Sequence, residues 1–195
     1  MTRSDTGQRT PRGGERTGGR PGGRSGGRAG AAGGGSGGGS GGRGPRGREE
    51  SGNEDPGLAT RRLAVDILCA VLDDGRPLDQ VLDHRAGTPS WRNLSPADRS
   101  LVRAMVSTTL RRLGLVDDAL KRLMQRPLPG KASRVRAILR VAATQMLFME
   151  VPDHAAVSLA TELAERGRET RPWKALVNGV LRSLGRQREE ILADQ

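Results

Sequence analysis

The chain has 195 residues, and 33 Lys and Arg against 22 Asp and Glu give a formal net charge of +11. That balance points to an anionic polymer as partner, nucleic acid ahead of a membrane surface. A single cysteine excludes an intrachain disulfide framework. No apolar run approaches the roughly 18 residues of a transmembrane helix or forms the core of a signal peptide, so a cytoplasmic protein is expected.

Residues 1–57 hold 22 of the 29 glycines and no aromatic, with three alanines as the only apolar residues beyond Met1. Such a segment cannot bury enough surface to offset the entropy of ordering it, and a disordered basic tail is expected. Arg20, Arg24 and Arg28 recur every four residues in TGGRPGGRSGGR, and Arg43 returns in a further GGR. Arg-Gly tracts bind RNA backbones with little sequence preference, which makes these arginines candidate RNA contacts. A solubilising linker is the other reading of the same residues. The glycine run at 33–42 has neither a strand before it nor a helix after it, so it is not a nucleotide loop.

Ordered structure is expected from residue 58. Leu63/Ala64, Ile67/Leu68 and Val71/Leu72 repeat every four residues, the stripe of an amphipathic helix that Thr60 could cap and Gly75 would end. A short helix over Pro77–Arg85 follows, with Leu78, Val81 and Leu82 inward, then a Gly87-Thr88-Pro89 loop. Ser95 and Pro96 read as cap and first turn of a third helix, its stripe running through Val102, Met105, Val106 and Leu110 to the vicinity of Gly114. A fourth segment spans Leu115 to Met124.

The centre of the pattern is 131–164. Val135, Ile138, Leu139, Ala142, Met146 and Met149 share one helix face, while Val141, Leu147 and Phe148 make most of the circumference apolar, as in a helix enclosed by others. Val151-Pro152 breaks this helix, and Asp153 could cap the next. Pro172 then starts a last major helix with Trp173, Leu176, Val177, Val180, Leu181 and Leu184 inward. Its Asn178-Gly179 step would favour a hairpin turn, but helical periodicity continues on both sides; Gly179 reads instead as a place where a neighbouring helix comes close. No period of two appears. The domain is expected to be all-α, with six or seven helices.

Catalytic signals are scarce. His84 and His154 are far apart in sequence and each lacks a second ligand at helical spacing, so no metal site is expected. Cys69 lies off the centre of the first stripe with no His beside it, a half-buried structural thiol rather than a nucleophile. The positive evidence is the placement of Arg61, Arg62, Arg99, Arg103, Arg111, Arg112, Arg134, Arg136, Arg140, Lys174 and Arg182, mostly opposite the apolar stripes. Arginine suits phosphate because its planar fork bonds it bidentately. Only convergence of these residues on one side would make a binding face.

RAILRVAATQMLFMEVPDHAAVSLATELA followed by ALVNGVLRSL resembles the signature of the NusB family. LSPADRSLVRAMVSTTLRRLGLVDDALKRLMQRPLPGKASRVRAILR is further similar to the NusB-like N-terminal domain of RsmB/Sun-type 16S ribosomal RNA cytosine-5 methyltransferases. The resemblance covers about 60–186 and implies a helical bundle that recognises RNA. It also implies that an Arg-rich first helix, here Arg61 and Arg62, touches RNA alongside a small ribosomal protein. Two departures stand out: Ser158 and Leu159 follow HAAV where Asn or Asp and then Glu are usual, and Thr144 stands where many members carry an aromatic. The catalytic domain of the methyltransferases, with its glycine-rich S-adenosylmethionine loop and two cysteines, has no counterpart in this sequence. No methyl transfer by this chain alone, and no cofactor, is therefore expected.

The expected organisation is a Gly/Arg-rich tail over 1–57, a NusB-like RNA-binding domain over 58–186 and a C-terminal extension over 187–195. The expected RNA contacts are Arg61, Arg62, Arg103, Arg111 and Arg112, with Arg20, Arg24 and Arg28 of the tail. Ribosomal RNA is the expected partner, with a ribosomal protein or a separate methyltransferase domain beside it. A transcription antitermination factor, or a helical protein-interaction module without an RNA role, would share these features.

Overall fold

Helix α1 (Pro56–Leu72) starts where the Asp55 carboxylate accepts the Gly57 amide at 2.8 Å, with proline at the first helical position. Asp55 is therefore the cap, and not Thr60, which is fully buried inside the helix and donates its hydroxyl to the Pro56 carbonyl at 2.6 Å. The computed structural model describes residues 55–194; Arg20, Arg24 and Arg28, and the expected tail up to residue 54, lie outside the described residues.

Eight further α-helices follow: α2 (Leu78–Ala86), α3 (Pro89–Arg92), α4 (Pro96–Arg111), α5 (Leu113–Leu123), α6 (Ser133–Phe148), α7 (Asp153–Arg166), α8 (Lys174–Arg186) and α9 (Arg188–Ala193). Among the described residues there is no strand. The seven long helices are those expected from periodicity. The two short ones, of 4 and 6 residues, are too brief to show a period, and each is held by one buried side chain, Trp91 in α3 and Ile191 in α9. Gly114 falls in the first turn of α5 rather than ending α4. A 3₁₀ turn, Arg171–Trp173, precedes α8 and takes up Pro172.

Helix α6 is the axis of the fold. Its residues Val135, Ile138, Leu139, Val141, Ala142, Met146 and Leu147 are all buried, so the apolar circumference is enclosed by α1, α4, α5, α7 and α8. Fully burying each large aliphatic side chain is worth about 1.5–3 kcal/mol. Buried Ala156, Ala160 and Ala164 make a small-residue stripe on α7 that lets it lie close to its neighbours. Two expectations are corrected here. Asp153 is the first residue of α7 and Pro152 precedes it as the cap position, with no side-chain cap bond. Gly179 is exposed and a Cβ there would meet nothing within 4 Å, whereas one on Gly185 would lie 2.8 Å from Asp153 Oδ2. Close approach of α8 to α7 happens one turn and a half later than the sequence suggested.

The turn joining α6 to α7 is tight. Glu150 takes a left-handed φ of 52°, an unfavourable region for a residue with a Cβ, so that the chain can reverse at Pro152.

Candidate nucleic-acid interface

Three pairs of contacts fix which helix ends meet at the C-terminal end of α6. Arg61 Nε donates to Gln145 Oε1 at 2.9 Å, which with the Arg134–Asp66 pair at 2.7 Å makes α1 antiparallel to α6. Thr109 Oγ1 donates to Thr144 Oγ1 at 3.0 Å, and Arg112 Cζ stands 5.4 Å from the Phe148 ring centroid, so α4 runs in the same sense as α6. Glu165–Lys174 at 2.8 Å and the Gly185–Asp153 approach make α8 antiparallel to α7. The start of α1, the end of α4, the start of α7 and the end of α8 therefore gather around one end of the axis.

That end is where Arg62, Arg111 and Arg112 are exposed. Arg111 bonds only a carbonyl of its own helix, Ser107 O at 3.3 Å, and Arg112 contacts only Phe148; among the described residues neither has a carboxylate partner. Both sit at the end of α4, where carbonyl dipoles favour cations. Arg186 and Arg188 reach the same end from α8 and α9, Arg188 lying 3.9 Å from Asp153. Periodicity gave no reason to single out either.

Arg61 is placed differently from its neighbour. It is half-buried, its Nη1 also donates to Gly57 O at 3.3 Å, and desolvation lowers its pKa against the opposing pull of Asp55 and Asp98. Its guanidinium ties α1 to the buried Gln145, whose Nε2 donates to Val141 O. The buried Thr144, Gln145 and Thr109 form a polar layer in an otherwise apolar contact, and Thr144 is where the sequence departs from the expected aromatic. Arg103 is one of the expected set but lies further back along α4, over the ring of Trp91 at 4.9 Å.

Most of the remaining basic candidates are held by other groups of the fold, while Arg182 of α8 is exposed. Arg140 binds Asp117 bidentately at 2.7 Å and 2.7 Å, and Arg136 donates to the Leu128 and Pro129 carbonyls. Arg99 closes α3 by donating to the Trp91 and Arg92 carbonyls. Convergence thus separates the arginines as charge alone could not.

Among the described residues no group of three or more His, Cys, Asp or Glu could hold a metal, and none of the helices is long and apolar enough to cross a membrane. Burial and then nearby Asp73 push the Cys69 thiol up to about 11, so it is a poor nucleophile at neutral pH. A cleft of about 950 Å³ runs between α7 and α8, with Glu165 and Lys174 paired across it and the buried Asp153 Oδ1 without a hydrogen bond at its end.

Comparison with known proteins agrees with this architecture. The model of the NusB family matches residues 58–186. Over 134 residues the chain is 32% identical to the ribosomal RNA small subunit methyltransferase B of Escherichia fergusonii and to that of Escherichia coli. Those matches cover 69% of this chain and 30% of each relative, so the chain spans under a third of their length. The solved structure of T. maritima NusB superposes with a TM-score of 0.58 at 20% identity, covering 72% of this chain and 99% of that one. The chain belongs to the NusB family.

Proposed function

We propose that this NusB-family chain is an RNA-binding domain that brings a 16S ribosomal RNA cytosine-5 methyltransferase activity, carried by other residues, to its RNA. The observation that carries the reading is the gathering of the exposed Arg62, Arg111 and Arg112 at one end of α6. Exposed guanidinium groups there would neutralise phosphates, with Arg103 extending the face along α4 and Arg20, Arg24 and Arg28 adding contacts without sequence preference. Arg61 would act by holding α1 on Gln145. Support for ribosomal RNA as the target comes from the relatives, which are named as ribosomal RNA small subunit methyltransferases. The organisation proposed is a basic tail up to the start of α1, a recognition domain and a short C-terminal extension, working in the cytoplasm with a ribosomal protein or a methyltransferase domain.

The test is binding of the full chain to fragments of 16S ribosomal RNA over a range of salt. Affinity that falls linearly on a logarithmic salt axis, with preference for one fragment, is expected; removing residues 1–54 should weaken affinity and leave the preference intact. Absence of binding at low salt would overturn the reading and favour a protein-interaction module. Membership of the NusB family over residues 58–186 supports a second reading, a transcription factor acting on nascent RNA. Recovery with polymerase-associated factors and without ribosomal RNA would favour that one.

A further inference from the structure

The chain has three aromatic side chains, and two of them carry a guanidinium over the ring: Trp91 under Arg103 and Phe148 under Arg112. Trp91 is 4% exposed and belongs to the core, while Phe148 is half-buried at the basic end of the bundle. Arg112 itself is exposed and makes no ion pair among the described residues. A guanidinium seated on an aromatic ring is held in place by the charge–quadrupole attraction, and because it is planar it can present its other face to a second π-system. Nucleobases stack on guanidinium planes, but only when they are unpaired and turned out of a helix.

We infer that Arg112, seated on Phe148, is a stacking platform for an unpaired base, so that this end of the domain selects single-stranded over fully paired RNA. The inference rests on the RNA-binding reading above and gives Arg112 a task that charge alone does not perform. Arg111, exposed in the preceding position, adds a second positive charge to this end of α4. The seat is built by the fold: the buried Thr109–Thr144 hydrogen bond, one turn back on both helices, holds the end of α4 beside the end of α6.

The decisive variant is Arg112→Lys, which keeps the charge and removes the plane. Affinities of the full-length chain would be measured for a short labelled single-stranded RNA and for the same strand annealed to its complement. Arg112→Lys is expected to lose roughly tenfold for the single strand while duplex affinity and salt dependence stay as in the wild type. Phe148→Leu, with its melting temperature recorded to confirm folding, is expected to shift the ratio in the same direction. Unchanged single-strand affinity in Arg112→Lys, or an equal loss for both forms, would overturn the inference and leave Arg112 a phosphate contact. A wild-type chain that binds neither form at low salt would overturn the RNA-binding reading, and this one with it.

Discussion

The two ends of α6 use the same residue type for opposite purposes. Toward its N-terminal half, arginines are spent inside the molecule: Arg134 on Asp66, Arg140 on both oxygens of Asp117, Arg136 on the carbonyls that close the preceding loop. Toward its C-terminal end, Arg111 and Arg112 meet no acid among the described residues and are exposed. An arginine becomes available for a phosphate when the fold places no carboxylate within reach of it, and no count of positive charge reveals that. The difference predicts that variants at the first end cost stability and those at the second cost RNA affinity.

The largest stability effect is expected at Arg140, whose side chain is only 13% exposed. Arg140→Ala strands the Asp117 carboxylate without its bidentate partner and should cost about 2–3 kcal/mol in urea unfolding, with RNA affinity of the folded protein unchanged. Gln145→Leu sharpens the comparison from the other end, because it removes the Nε acceptor of Arg61 and leaves its half-buried guanidinium with only the Gly57 carbonyl. It should cost about 1–2 kcal/mol by the same measurement. A large loss of RNA affinity with intact stability in that variant would return Arg61 to the binding face.

Glu150→Gly tests the turn between the ends. Glycine adopts the left-handed φ without a Cβ clash, so the variant should gain up to about 1 kcal/mol and, with one acid fewer near Phe148, bind RNA slightly more tightly. The smallest effect is at Cys69, on the first-end side near Arg134. The folded state holds the neutral thiol, so its contribution to stability is complete below the unfolded thiol pKa of about 8.5 and is lost as pH rises toward about 11. A thiol reagent at pH 8 should label the folded chain at least tenfold more slowly than the urea-unfolded chain.

Much of the fold was legible because it rests on periodicity. The stripe of α1, the enclosed circumference of α6 and the Ser95 cap of α4, whose hydroxyl accepts the Asp98 amide at 3.1 Å, follow from residue spacing alone. What could not be read depends on distance between helices. Gly179 and Gly185 are alike in sequence, and only the packing of α8 on Asp153 tells which one admits a neighbour. Arg61 and Arg62 are adjacent and equally basic, and a buried glutamine 84 positions away separates them. That glutamine was the available signal, a polar residue in the apolar run of α6 that needs a partner. The pairing of Arg112 with Phe148 carried no sequence signal beyond the scarcity of aromatics.

The most direct test is the salt dependence of RNA binding by the full chain with Arg111 and Arg112 both replaced by alanine. Melting should show stability within about 0.5 kcal/mol of the wild type, since neither residue holds a buried partner. Loss of the two positive charges, one of them on the base-stacking Arg112, should then flatten the logarithmic salt slope by about one to two. A wild-type slope in the double variant would mean that the exposed end of α6 is not where this domain meets RNA.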